Sequence, residues 1–140
     1  MSEVTAKGSC FCGEVEYEIS GNLGIFQYCH CSRCRKFTGS GYAANILVHP
    51  EHFRWLKGAA GVGEFIPEDT KYLTTAFCKN CGSSLPWKAK GGKSVVIPAG
   101  TLDEHPSIEP SQSIFYDSKA TWHRDSAELP KYDELPKRKS

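Results

Sequence analysis

The segment Cys29-His30-Cys31-Ser32-Arg33-Cys34 sets three thiols within six residues, and two cysteine pairs elsewhere, Cys10-Phe11-Cys12 and Cys78-Lys79-Asn80-Cys81, decide how to read it. Zinc takes thiolates at about 2.3 Å in a tetrahedron, so sulfurs on one ion lie within about 4 Å of each other. Residues i and i+2 of an extended strand point to the same side, which lets Cys10 and Cys12 grip one ion. Cys78-x-x-Cys81 with Gly82 behind it has the form of a metal knuckle, the glycine permitting the tight return. The two pairs together supply four ligands, a closed structural set. The central triplet supplies three and no obvious fourth, the ligand count of a catalytic zinc site with an open position.

Other readings of the triplet stand beside this one. His30 could complete a second closed site, although the middle residue of an extended Cys-His-Cys should face away from the metal. A metal-free redox cluster would also use clustered thiols. The remaining histidines, His49, His52, His105 and His123, read as surface or core-edge residues.

Seven cysteines is an odd count, so paired disulfides would leave one thiol over. The start of the chain, Met1-Ser2-Glu3-Val4-Thr5-Ala6-Lys7-Gly8, lacks the apolar run of a secretory signal. No stretch is apolar enough for a bilayer span. The expectation is a cytoplasmic location, where clustered thiols bind metal more often than they pair. The chain has 140 residues, 39% hydrophobic and 24% charged, with a net charge of +1. These values suit one globular domain and exclude a disordered chain or a strongly basic nucleic-acid binder. Two zinc ions on seven thiolates would take the charge to about −2. The basic run Lys137-Arg138-Lys139 is too short to reverse that reading.

The rest of the pattern is that of a mainly β domain of short strands. Val15, Tyr17 and Ile19 alternate with Glu14, Glu16 and Glu18, the mark of a half-buried strand. Further strands are expected at 25–28, 42–48, 53–57, 63–66, 71–77, 84–88 and 94–98. Ser32 is the expected cap of a short helix over 33–37, ended by Thr38-Gly39-Ser40-Gly41. Residues 1–130 read as one zinc-binding domain and 131–140 as a polar tail. A core with a mean hydropathy of −0.42 would gain from metal cross-links.

Three blocks, Gly8-Ser9-Cys10-Phe11-Cys12-Gly13-Glu14-Val15, Cys29-His30-Cys31-Ser32-Arg33-Cys34-Arg35-Lys36 and Phe77-Cys78-Lys79-Asn80-Cys81-Gly82-Ser83, resemble the glutathione-dependent formaldehyde-activating enzymes, also called the centromere protein V-like family. The likeness continues through Thr38-Gly39-Ser40, Ala99-Gly100-Thr101-Leu102-Asp103 and Asp117-Ser118-Lys119-Ala120-Thr121-Trp122, covering about residues 8–122. It implies an Mss4-like fold of short twisted antiparallel sheets stapled by zinc. It also implies that Cys10, Cys12, Cys78 and Cys81 hold a structural zinc while Cys29, Cys31 and Cys34 hold a catalytic one.

The activity implied is that of a carbon–sulfur lyase, joining formaldehyde and glutathione to S-hydroxymethylglutathione and reversing that reaction. The partners are then a small thiol and a small aldehyde. Arg33, Arg35 and Lys36 lie beside the triplet and suit the two carboxylates of glutathione, or form a solvated helix face. Ser40, Lys119 and Trp122 are substrate-site candidates through the resemblance alone, and core packing is the plainer role for Trp122. Members of the family commonly carry a His-x-Phe before the Asp-Ser-Lys stretch, where this chain has Ser113-Ile114-Phe115. The competing function is a non-catalytic zinc-stabilised binding module, since a fold does not give a function by itself. Exposed edges of short strands leave a homodimer open.

Overall fold

The computed structural model describes residues 4–137. It is a mainly β structure of three small sheets. The strands are β1 (Val4–Ser9), β2 (Glu16–Ser20), β3 (Phe26–Cys29), β4 (Ala43–Val48), β5 (Phe53–Lys57) and β6 (Val62–Phe65). They continue as β7 (Thr75–Cys78), β8 (Ser84–Leu85), β9 (Trp87–Lys88), β10 (Val95–Pro98) and β11 (Gln112–Ile114). One short helix, α1 (Ser32–Thr38), stands between β3 and β4. The sheets are ordered β1-β2-β5, β11-β3-β4-β10-β9 and β6-β7-β8. All pairings are antiparallel except β11 on β3. No helix of the described residues is long and apolar enough to cross a membrane.

Two apolar clusters tie the sheets together. Tyr17 and Ile19 of β2 pack against Phe26, Ile46, Val48, Val95 and Ile97 of the five-stranded sheet. Cys10, Val15, Ala76, Cys78, Leu85, Trp87 and Val96 form a second cluster at the small third sheet. The alternation expected in β2 holds for Tyr17 and Ile19. Glu18 on its opposite face is also buried, because the Arg54 guanidinium of β5 lies across it as an ion pair.

Several expectations need correction. The extended strand expected at Cys10-Phe11-Cys12 is a turn; the strand lies before it, as β1, where Val4-Thr5-Ala6-Lys7-Gly8-Ser9 has no alternating large apolar residues and pairing with β2 makes it a strand. The expected strand over 71–77 is confined to Thr75–Cys78. Before it the chain turns, with Thr70 Oγ1 donating to the Leu73 carbonyl at 2.6 Å and Lys90 Nζ to the Thr70 carbonyl at 2.7 Å. These side-chain bonds take the place of a sheet ladder. The helix cap is Cys31, not Ser32: the Cys31 sulfur accepts the Cys34 N–H at 3.3 Å. Gly39 ends α1 in the left-handed conformation and bonds back to the Arg35 carbonyl. Of the expected polar tail, 131–137 are exposed and carry no strand or helix, and 138–140 lie outside the described residues.

Gly8 sits opposite Tyr17 across the β1–β2 pair. A Cβ there would lie 2.3 Å from the Tyr17 ring, whose hydroxyl is pinned to Thr101 Oγ1 at 2.7 Å. The ring is fully buried and has nowhere to retreat. Gly8→Ala is therefore expected to destabilise the fold by about 1–3 kcal/mol, seen as a lower urea midpoint with an unchanged slope.

Candidate functional site

The seven cysteines gather into two clusters. The first joins the turn after β1 to the turn after β7. The Sγ atoms of Cys10, Cys12, Cys78 and Cys81 all lie within 4.8 Å of one another, Cys10 to Cys12 at 3.5 Å and Cys12 to Cys78 at 3.8 Å. A tetrahedral zinc with about 2.3 Å bonds requires sulfurs about 3.8 Å apart. The separations are too long for a disulfide, and all seven cysteines are free.

The surrounding donors suit thiolate sulfur. Val15 N–H points to Cys10 Sγ at 3.3 Å and Cys12 N–H to Cys81 Sγ at 3.4 Å. Ser83 Oγ lies 3.2 Å from Cys81 Sγ and is the main reason its pKa falls to about 5. Gly82, at φ 78°, makes the return of the knuckle in a backbone conformation that favours glycine. The donor set fits a closed zinc site.

The second cluster is Cys29, Cys31 and Cys34, again with their sulfurs within 4.8 Å of one another. Cys29 ends β3, Cys31 caps α1, and Cys34 lies one turn into the helix. The i, i+3 spacing thus brings Cys31 and Cys34 to the same side of the first turn. The Cys34 thiol donates to the Cys29 sulfur and lowers the Cys29 pKa to about 6 against the opposing effect of burial. Cys34, as the buried donor, is pushed far upward. Cys29 and Cys34 are buried and Cys31 is partly exposed, so the cluster opens towards solvent on the Cys31 side. No fourth His, Cys, Asp or Glu joins it among the described residues, and no further group of three or more comes together elsewhere. This donor set fits a three-ligand zinc site.

His30 turns away from the sulfurs. It is buried among Tyr42, Tyr116 and His123, with ring centroids 4.9–5.2 Å away. Burial, then the charges of His123 and Lys119, lower its pKa, and Nδ1 has no partner. The His30 N–H donates to the Ile114 carbonyl at 3.0 Å, continuing the parallel pairing of β11 beside Cys29. The next residue, Phe115, is the only non-glycine with positive φ among the described residues. Its strained turn is therefore clamped against the cysteine segment.

The remaining predicted site residues lie in several places. Arg33 and Lys36 face a groove of about 710 Å³ beside α1, and Arg33 is held by Asp69 at 2.8 Å. Lys119 Nζ sits 4.4 Å from the centre of the Tyr116 ring, which packs on His30, and the Trp122 ring lies against Gly41. Trp122 is 66% exposed, so core packing does not explain it. Arg35 is directed elsewhere, its Nε buried and unpartnered. Ser40 is exposed just past the helix end, its N–H bonded to Thr38 Oγ1. Asp69 and Tyr116 were not anticipated. Asp69 lies 36 residues from Arg33 in the chain and carries no local signal. A second cavity of about 750 Å³ is lined by Trp55 and Trp87 among others, and neither it nor the groove beside α1 has a cysteine in its lining.

No curated protein matches the chain. The fold is similar to the crystal structure of a Rhodobacter sphaeroides protein determined as a structural-genomics target, with a TM-score of 0.57 and 21% sequence identity. The match covers 76% of this chain and 98% of the other. The sequence pattern of the glutathione-dependent formaldehyde-activating enzymes matches residues 5–118, which contain both cysteine clusters. The chain belongs to the glutathione-dependent formaldehyde-activating enzyme family.

Proposed function

We propose that the protein is a zinc-dependent carbon–sulfur lyase that joins a small thiol, glutathione or a close analogue, to formaldehyde and reverses that reaction. The observation that carries this reading is the three-sulfur cluster that lacks a fourth protein ligand and opens to solvent at Cys31. A closed four-cysteine set in the same chain argues that the missing ligand is a feature of this site, not of the fold.

In the forward reaction the thiol gives up its proton, its sulfur bonds to the carbonyl carbon, and the C=O π pair moves to oxygen, which takes a proton. The reverse breaks the same C–S bond. Cys29, Cys31 and Cys34 would hold zinc, which when bound supplies positive charge that keeps an incoming thiol deprotonated near neutral pH. The three thiolates leave that site at net −1, so the chain's cations have to attract an anionic thiol. Arg33 and Lys36 stand at the groove on one side, and Lys119 beside Tyr116 on the other. Trp122 and Ser40 extend the second flank as candidate walls. The addition is facile, so holding the two reactants together supplies most of the acceleration. Cys10, Cys12, Cys78 and Cys81 would hold the structural zinc.

Zinc analysis of protein purified under reducing conditions is expected to give two ions per chain. Cys31→Ser should reduce this to one with the fold retained, because Cys31 lies at the exposed end of its cluster. Cys78→Ser, at a fully buried sulfur between two sheets, should leave the chain unfolded or strongly destabilised by circular dichroism. In an NMR assay of adduct exchange, the wild type should accelerate interconversion of glutathione and formaldehyde with S-hydroxymethylglutathione. Cys31→Ser should return the rate to the uncatalysed background. A folded two-zinc protein with no effect on that exchange would favour the binding-module reading instead.

A further inference from the structure

The cavity of about 750 Å³ that has no cysteine in its lining is bordered by β5, β6 and the β9–β10 hairpin. Its volume is in the range of small-ligand sites, roughly 300–1,000 Å³. Phe53 and Trp55 lie on one face of β5 and supply an aromatic wall, with ring centroids 4.9 Å apart and planes at 84°. Both are only partly buried, so a ligand in the cavity can reach them. Trp87 of β9 also lines the cavity. It is 7% exposed, and its Nε1 is buried with no hydrogen-bond partner. A buried donor in that state costs free energy until an acceptor reaches it.

The charges around the cavity do not balance. Arg54 belongs to the lining but is already paired with Glu18 of β2. Lys88 and Lys90 then stand against a single acid, Glu64. Lys90 Nζ donates to the Pro67 and Thr70 carbonyls, which satisfy its hydrogens without cancelling its charge. Lys88 and Glu64 form no ion pair among the described residues. Thr74 Oγ1 donates to the Lys88 carbonyl at 3.0 Å and fixes that backbone at the cavity wall. One positive charge is left over among the lining side chains, close to aromatic rings and an orphaned N–H.

We propose that this cavity is a second small-molecule site, separate from the three-cysteine cluster, and that it takes an aromatic monocarboxylate. The ligand ring packs on Phe53 and Trp55, where edge-to-face contact adds to simple burial. Its carboxylate lies towards Lys88 and brings an acceptor to the side of the cavity that Trp87 lines. A single negative charge balances the lining. A dianion would set its excess against Glu64, and a neutral ligand gains nothing from Lys88.

The test is a fluorescence titration of the zinc-loaded Trp122→Phe variant, in which Trp55 and Trp87 are the only indoles left and both line the cavity. The probes are 3-phenylpropionate and its neutral amide. The acid should give a saturable change and bind about tenfold or more tighter than the amide. Lys88→Gln, at an exposed side chain, should bring the two probes within about threefold of each other. Adding Cys31→Ser instead should leave the affinity for the acid within about twofold, because the three-cysteine cluster takes no part. The proposal is overturned by the absence of a saturable change with the acid, by equal binding of the amide, or by a preference that survives Lys88→Gln. Loss of binding in the Cys31→Ser protein overturns it too, since the acid would then be sitting at the three-cysteine cluster.

Discussion

Two cysteine pairs, the nearest of their sulfurs 66 residues apart in sequence, meet at one point, and the rest of the molecule is arranged around that meeting. The first pair follows β1 and the second ends β7, so their cluster connects two of the small sheets. Cys10 and Cys78 are themselves part of the apolar cluster with Val15, Leu85, Trp87 and Val96. The metal site and the hydrophobic core are therefore one structure at this end of the protein. Short strands and a modest hydrophobic content do not by themselves constrain the chain much. Structural zinc binding contributes on the order of 10 kcal/mol in small domains, comparable to the whole stability of an ordinary fold.

The second cluster is built differently. Cys29, Cys31 and Cys34 come from one strand end and one helical turn, a local arrangement that does not join distant elements. A local set can leave a position open without loosening the fold. Around it stand Arg33 and Lys36 at the groove, Lys119 on the Tyr116 ring, and a Phe115 turn held beside Cys29 by β11. His30 shows how close the chain comes to a closed site. It lies between two of the cysteines, yet strand geometry turns its ring into a nest of Tyr42, Tyr116 and His123.

The metal sites were legible in the sequence because their geometry is mostly short-range. Cys-x-Cys and Cys-x-x-Cys each place two sulfurs close together in the chain, although Cys10-Phe11-Cys12 does so from a turn and not from the extended strand that its spacing suggested. The alternation through Val15, Tyr17 and Ile19 likewise reports one buried face. Where the reading failed, the cause was non-local. β1 lacks an apolar pattern and exists through its pairing with β2, and β11 is a strand only because it finds the free edge of β3. For Trp122 the sequence offered a substrate-site role through the resemblance and core packing as the plainer one, and only the fold shows the ring on the surface against Gly41.

The sequence by itself therefore determined the mainly β class, the division of seven thiols into four and three, and the family these motifs mark. Those properties depend on residue type and on spacings of a few residues. The tertiary structure alone decided which groups face the open cluster. It put Asp69 against Arg33, closed a groove with Leu73 and Phe37, and brought Tyr116 and His123 to His30. These contacts join segments separated by tens of residues, and chain folding, not local spacing, sets which side chains meet.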